Sequence, residues 1–596
     1  MRILGISGYS HDAAAALLID GRIVAAAEEE RFSRIKHDSA YPRRAIAWCL
    51  EHAGLSPHDL DLGAFFWQPW RGAGVPPAQL LRGLTDGTTA FAIRNWAFPA
   101  LARNLYPSLA AAHFAARVRR VRFVDHHLAH AASAFFASPF DEAAILTVDR
   151  RGELTSTMLA HGAGTTITPL AHVEVPHSLG TLYNVITRYL GFHREGDEGK
   201  VMGLAPYGQP RYLDHFARWV RLIPNGFQLD TSAIRLPFGP GLIAALGPPR
   251  RPGEPLTAHH ADVAASLQAA LERVLLHLAG HLHTATGTTN LCLAGGVALN
   301  CVANARLAEE GPFRRVWVQP AANDAGAALG AALWTYHVLY GRPRSWRMPH
   351  AYLGPAYGET ACRTALDARS LLYHRPPDLP ATVSRLIADG GVVGWFQGRM
   401  EFGPRALGNR SIVADPRRAE MKDILNARVK HRESFRPFAP AVLEESTAAY
   451  FNPSSPGPYM LFTHRVTRPD AIPAVTHVDG TARIQTVARD TNPAFYDLIA
   501  SFGEITGVPV LLNTSFNVRG QPIVCTPDQA IDTFLTTGLD ALVLGPFFLE
   551  KDPCASRAQP RTASVSDLHV GPGRDPEIRG SVPVRRLSAP RLGGSR

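Results

Sequence analysis

Strand-sized apolar runs alternate with helix-sized ones along most of this chain, and that alternation limits the fold more than any other feature. RILGIS, AAAALLID and RIVAAAEEE read as three strands joined at GYSHD and DGR, a hairpin-led opening. RVRFVD, EAAILTVD, TNLCLAGG and RRVWVQP read as further strands, and HHLAHAASAFF and DAGAALGAALWTY as helices. Strands separated by helices in this way predict an α/β fold with a largely parallel core. No repeat of solenoid period recurs.

With 596 residues the chain exceeds what one hydrophobic core supports, so two or three domains are expected. YGRPRSWRMPHAYLGP, rich in Pro, Gly and Arg without periodicity, places a boundary near residue 355, and TVSRLIADGGVVGWF opens a second α/β unit. The expected division is 1–355, 356–553 and a basic tail at 554–596. From Ala555 onward eight arginines face three acids, which is half of the formal +10 charge, in a segment rich in Pro, Gly and Ser that reads as disordered. The remaining charge is ordinary for its length, which disfavours a nucleic-acid groove. Six cysteines stand far apart with no C-x-x-C pair, giving neither a disulfide framework nor a thiolate zinc site. That fits a reducing cytoplasm. No run approaches the roughly 18 to 20 apolar residues of a membrane span, and His11 and Asp12 interrupt the first apolar stretch. The chain reads as a cytoplasmic protein, neither secreted nor inserted in a membrane.

Three histidines fall within five residues in DHHLAH. On a helix, His126 and His130 share a face while His127 turns about 100° aside, so two imidazoles can meet one ion. Two acids strengthen this pattern: Asp149, closing a strand, and Asp324, opening a helix after one. Strand ends are where α/β folds place ligands. Two imidazoles with two carboxylates suit iron, manganese or zinc and include no thiolate to select a soft metal. In the alternative reading, Asp324 only caps its helix and Asp149 only begins a turn.

Other segments point to anions. In LAGGVALN, Gly295 and Gly296 follow a strand and precede a helix, where exposed backbone N–H groups favour a phosphate or nucleotide. In DEGKVMGLAPYG, Lys200 is placed to reach a phosphate and Glu198 a ribose or base, with a solvated loop as the alternative. Arg399, Arg405, Arg410 and Arg417, then Lys430, Arg432 and Arg436, cluster among Gly and Pro in a pattern suited to bidentate phosphate capture. Asn513, Ser515 and Asn517 offer polar groups to the same pocket, or are simply turn residues.

In this order, GISGYSHDAAAALLIDG, AEEERFSRIKHD, DHHLAH, EGKVMGLAPYG, GRMEFGPRALGNRSI, KHRESFRPFAP and NTSFN resemble the O-carbamoyltransferase family of antibiotic and nodulation-factor biosynthesis over about residues 1 to 550. The resemblance implies an actin-like, two-lobed transfer domain followed by a YrdC-like domain. It further implies that carbamoyl adenylate is made from carbamoyl phosphate and ATP, and that the carbamoyl group passes to a hydroxyl. On this resemblance Arg405, Lys430, Arg436, Arg483 and Ser515 bind carbamoyl phosphate and ATP, while His126, His130, Asp149 and Asp324 hold iron(II), with zinc or manganese as substitutes. Mg²⁺ accompanies ATP. His11 is catalytic near the acceptor, its ordinary pKa near 6.5 suiting a general base, and Lys36 contacts nucleotide. The expected partners are ATP, carbamoyl phosphate and a hydroxylated small molecule, with a second copy of the chain, as a homodimer, a further candidate.

Two positions depart from the family pattern. Arg150 and Arg151 follow Asp149 where glycine is expected, and Gln521 stands where the family more often has Glu. Residues 68 to 119, with Trp70, Trp96 and Tyr106, are either a lid over the acceptor or a helical packing insert. Competing functions are a tRNA threonylcarbamoyl-type transferase and a small-molecule kinase of actin-like fold. A metallopeptidase is disfavoured, because H-E-x-x-H is absent from DHHLAH.

Overall fold

The computed structural model describes residues 1–68, 121–452 and 457–551. Trp70, Trp96, Tyr106 and the basic tail lie outside the described residues. The architecture is mixed α/β. Strands β1 (Arg2–Ser7), β2 (Ala14–Ile19), β3 (Arg22–Glu28), β4 (Leu62–Phe65) and β5 (Val121–Phe123) form a sheet in the order β3-β2-β1-β4-β5. A second sheet uses β6 (Glu142–Val148), β7 (Thr155–Ala163) and β8 (Thr166–Glu174). After a small hairpin, β9 (Val220–Ile223) and β10 (Gly226–Leu229), it is completed by β11 (Asn290–Ala294) and β12 (Arg315–Val318). Its order, β12-β11-β6-β7-β8, repeats the first sheet strand for strand.

In each sheet the first three strands are antiparallel and only the last two add in parallel. The expectation of a largely parallel core is therefore corrected. Connection length decides the matter: β2 and β3 are joined by Asp20-Gly21 alone, both at positive φ (47° and 84°), a tight turn that can only reverse the chain. The third sheet is also mostly antiparallel. It takes β13 (Val393–Phe396), β14 (Arg410–Ala414), β15 (Ala439–Leu443), β19 (Gln485–Val487), β20 (Val510–Ser515), β21 (Ala541–Leu544) and β22 (Phe547–Glu550) in the order β19-β15-β20-β14-β13-β21-β22. A three-stranded sheet of β16 (Phe451–Asn452), β17 (Thr463–Val466) and β18 (Thr481–Arg483) completes the set.

The helix after β5, His126–Phe135, and the helix after β12, Asp324–Trp334, end the two repeated motifs and pack against each other. Both are rich in Ala and Gly, and both are almost wholly buried. Two glycines set their approach. A Cβ at Gly330 would stand 1.8 Å from the Ala129 carbonyl oxygen, and one at Gly5 in β1 would stand 1.9 Å from that of Ala328. Only glycine lets these backbones touch, and the contact brings the first turns of both helices to one place.

Candidate functional site

Asp125 caps the helix His126–Phe135, its carboxylate accepting the Leu128 N–H at 3.1 Å. Helical spacing then turns His126 and His130 to one side, both buried. His127 faces away and is satisfied within the core: Nε2 donates to the Thr155 carbonyl at 3.0 Å, so Nδ1 accepts from the Thr147 hydroxyl at 2.7 Å. Burial, then the neighbouring imidazoles, hold His127 well below its ordinary pKa, and it stays neutral.

The structure brings His126, His130, Asp149 and Asp324 together, with one donor atom of each lying within 4.8 Å of the others. His130 Nε2 is 3.0 Å from Asp149 Oδ2 and 3.5 Å from Asp324 Oδ1; His126 Nε2 is 3.7 Å from each. The two Nε2 atoms are 3.1 Å apart. Donors about 2.1 Å from a shared cation stand about 3.0 Å apart along an octahedral edge and about 3.4 Å along a tetrahedral one. The observed spacings bracket these values, and Asp324 Oδ1 is buried with no hydrogen-bond partner. The four residues fit a divalent cation. Burial opposes a charge on His130, but the Asp149 and Asp324 carboxylates that face its ring prevail and raise its pKa to about 9. Asp324 does not cap its helix with its side chain; Asn323 occupies the cap position.

His11 reaches this cluster from the turn after β1, with Nε2 4.0 Å from Asp324 Oδ2 and Nδ1 3.0 Å from Asp12 Oδ2. Burial disfavours its charged form, but Asp324 and the bond to Asp12 outweigh it and raise its pKa to about 10. The expected value near 6.5 is corrected, because two carboxylates face the ring. Asp12 also meets His37 Nδ1 at 2.7 Å. Asp12 and His37 both adopt positive φ (58° and 55°), a conformation that Asp and His enter more readily than most non-glycine residues.

Arg150 fits beside the cluster because the opposing position is glycine. A Cβ at Gly180 would lie 2.7 Å from the Arg150 backbone, and the guanidinium pairs with Glu195 at 3.2 Å. The expectation of free N–H groups at Gly295 and Gly296 is corrected: Gly295 N–H donates to the Ala322 carbonyl at 2.8 Å and Gly296 N–H to Asp149 Oδ2 at 3.1 Å. These glycines hold Asp149 in place. Lys200 is likewise engaged, by Asp197 at 2.8 Å and Glu433 at 3.2 Å, and Glu198 accepts from the Asn184 amide at 2.7 Å.

The arginines divide into two groups. Arg410, fully buried, donates to the carbonyls of Gln397, Asn409 and Pro355; Arg399 donates to those of Val24 and Leu353; Arg417 pairs with Asp415 at 2.7 Å. These three brace the fold and are removed from the expected anion pocket. Arg405 and Arg483 behave differently, and the group they share includes Arg432, which donates to Asn426 Oδ1 at 3.1 Å and the Pro437 carbonyl at 3.2 Å, and Arg436, which stands 3.9 Å from Glu433 Oε2. Burial, and then Arg483, lower the Arg405 pKa, and burial with Arg436 and Arg483 does the same for Arg432. The Nε atoms of Arg405 and Arg483 are buried without partners. Lys430 lies against this group, lowered well below its ordinary pKa by burial and then by Arg432, Arg436 and Lys36; its Nζ donates to Ser515 and Asn517. Burial first lowers Lys36, which lies between Glu30 and Arg436. Crowded guanidiniums with so few carboxylates among them constitute a site that calls for a polyanion.

The Carbamoyltransferase N-terminus family matches residues 2–333 and the Carbamoyltransferase C-terminus family matches residues 384–551. The chain belongs to the carbamoyltransferase family. Among curated relatives of this carbamoyltransferase, an uncharacterized protein, sll1178, of Synechocystis is 43% identical over 94% of this chain and 98% of the relative. Nodulation protein NolNO of Sinorhizobium fredii is 44% identical over 94% of this chain and 80% of its own, and Nodulation protein U of Rhizobium tropici is 33% identical over 89% and 93%. Among solved structures, HypF from T. kodakarensis aligns over 57% of this carbamoyltransferase and 48% of its own chain at 15% identity, with a TM-score of 0.30. No helix among the described residues is long and apolar enough to cross a membrane.

Proposed function

We propose that this carbamoyltransferase makes carbamoyl adenylate from carbamoyl phosphate, water and ATP at the arginine cluster, with phosphate and pyrophosphate as the leaving groups, and transfers the carbamoyl group to a hydroxyl of a small natural product beside the His/Asp cluster, releasing AMP. The observation that carries this reading is the pairing of two sites with complementary chemistry. One is a set of crowded guanidiniums with two orphaned Nε atoms; the other is a four-donor cation site with an imidazole 4.0 Å from one of its carboxylates. In this reading the first part of the chain is an actin-like transfer domain, the second is YrdC-like, and the enzyme is cytoplasmic.

Carbamoyl phosphate and the ATP phosphates are both polyanions, and Arg405, Arg432, Arg436 and Arg483 offset their mutual repulsion while Mg²⁺ accompanies the nucleotide. Lys430, anchored by Ser515 and Asn517, sets the wall of this site, and Lys36 faces it from the other half of the molecule. At the second site, His126, His130, Asp149 and Asp324 would hold a divalent cation, iron(II) in this reading. When bound it supplies Lewis acidity toward the carbonyl or phosphate of the intermediate. His11 takes the proton of the attacking hydroxyl at Nε2, while Asp12 holds Nδ1 and with it the ring orientation. With Asp324 and Asp12 uncompensated, His11 holds its proton and cannot act as a base. Neutralising Asp324 with a cation removes the largest field that raises its pKa.

The test is pyrophosphate release from ATP and Mg²⁺ with and without carbamoyl phosphate, on protein purified anaerobically and assayed for metal. Release that depends on carbamoyl phosphate is expected. ADP and a phosphorylated product in place of pyrophosphate would identify a kinase, and pyrophosphate release that ignores carbamoyl phosphate would mean a different AMP-forming reaction; either ends this reading. His11→Asn is expected to abolish transfer and retain adenylate formation.

A further inference from the structure

Two loops lie between the proposed sites and are fastened to each other. The turn after β1 and the segment after β3 are joined by Tyr9 N–H to the Ser39 carbonyl at 2.9 Å and Ala13 N–H to the Asp38 carbonyl at 2.8 Å, besides the Asp12–His37 contact. Half of the eight described non-glycine residues at positive φ sit here: Tyr9 (64°), Asp12 (58°), Arg34 (62°) and His37 (55°). Such conformations persist only where the surroundings enforce them, and they concentrate at functional sites.

One residue of the pair reaches into the other half of the molecule. Arg34 donates from Nη1 to the Ile523 carbonyl at 2.6 Å and from Nη2 to the Pro522 carbonyl at 2.8 Å. Those carbonyls belong to a turn that Asn517 secures, its Nδ2 donating to the Gln521 carbonyl at 2.7 Å, and Asn517 in turn accepts from Lys430 Nζ at 3.0 Å. A continuous series of bonds thus runs from Lys430 in the arginine cluster through Asn517, the 521–523 turn and Arg34 into the joined loops. It leaves them by way of His37, Asp12 and His11, at the edge of the His/Asp cluster.

We infer that Arg34 is a positioning residue for His11: by fixing the joined loops to the 521–523 turn it sets the His11 ring for transfer, so that the state of the adenylation site is felt at the transfer site. Arg34 lies four residues before Asp38, the nearest residue of the joined backbone bonds, and its two carbonyl contacts link it to the second half. A contiguous series of contacts is not in itself coupling, so the inference requires a measurement of coupling. It rests on the proposed function for its effect on transfer, but not for its effect on the loops.

The experiment uses the full chain and two variants, Arg34→Met and Arg34→Lys. Amide hydrogen exchange at Tyr9 and Ala13 is expected to quicken about tenfold in Arg34→Met, the effect of losing hydrogen bonds to a charged group, and less in Arg34→Lys. Carbamoyl-phosphate-dependent pyrophosphate release is expected to stay near the parent rate, while transfer falls by up to about 10²-fold for a displacement near 1 Å. Pyrophosphate released per carbamoyl group transferred therefore rises. Unchanged exchange at Tyr9 and Ala13 overturns the inference, as does an equal fall in adenylation and transfer, which marks a merely structural role. If the parent protein releases no pyrophosphate in response to carbamoyl phosphate, the proposed function fails, and the exchange measurement still decides the link from Arg34 to the loops.

Discussion

Gly330→Ala sets two effects of opposite sign against each other. In an exposed helix interior, Gly to Ala is stabilising by about 1 kcal/mol, because alanine loses less backbone entropy on folding. Here the added Cβ would lie 1.8 Å from the Ala129 carbonyl oxygen, 2.7 Å from its carbon and 2.9 Å from Ser133 N. Ordinary contact needs about 3.5 Å or more between such atoms, so the helices must part by well over 1 Å. Overpacking of this kind costs about 1–3 kcal/mol, and more where backbone meets backbone, so the clash prevails. The consequence reaches the cation site. Ala129 lies between His126 and His130, and the histidine–Asp324 spacings of 3.5 and 3.7 Å leave no slack for a separation of that size. We expect Gly330→Ala to lower the denaturation midpoint, with a loss of about 2 kcal/mol or more. Metal content after anaerobic purification should fall well below one per chain. The assays are denaturant melts and elemental analysis. A variant as stable as the parent and fully metallated would refute both the helix contact as drawn and its role in shaping the site.

Asp149→Asn should reduce bound metal sharply with a smaller effect on folding, measured by the same two assays, because it removes a charged donor and leaves the volume unchanged. Replacing Arg405 or Arg483 with Met should raise stability by roughly 1 kcal/mol, since an uncompensated cation is removed at a functional site, while abolishing both the stabilisation of the parent by pyrophosphate in thermal melts and carbamoyl-dependent pyrophosphate release. His464 supplies a pH dependence. It is buried with neither ring nitrogen partnered, and burial lowers its pKa from 6.5 to about 4. The unfolded chain therefore takes up the proton first as pH falls, so stability is full above pH 6.5 and declines toward pH 4, by at most about 3 kcal/mol at 1.36 kcal/mol per unit. His464→Phe should flatten the denaturant midpoint between those pH values; an unaltered slope would refute the assignment.

The sites differ in how much of them could be read from the chain. His126 and His130 were legible because a helix places residues four apart on one face whatever surrounds it, and Asp149 and Asp324 because strand ends in α/β folds converge. Arg399 and Arg410 show a limit of reading by residue type: a cation in a Gly-rich stretch looks the same whether it meets a ligand or a carbonyl from 375 residues away, as Arg399 does at Val24. Gly295 and Gly296 show the same limit, since their N–H groups are taken by Ala322 and Asp149, which are distant in the sequence. The pairing of Asp12 with His37 was not legible because it joins two turns 25 residues apart, a contact that only the fold creates. The repetition of the five-stranded topology left no trace in residue identity, because it is a likeness of strand order alone.

That repetition has a bearing on how the metal would be acquired. The earlier motif contributes only imidazoles, His126 and His130, and the later one only carboxylates, Asp149 and Asp324. In the structure the His130 imidazole lies 3.0 and 3.5 Å from these two carboxylates, so an arriving cation takes the place of a proton between the two motifs. The ion would then act as a rivet across the seam between two similar halves, drawing its imidazoles from one and its carboxylates from the other.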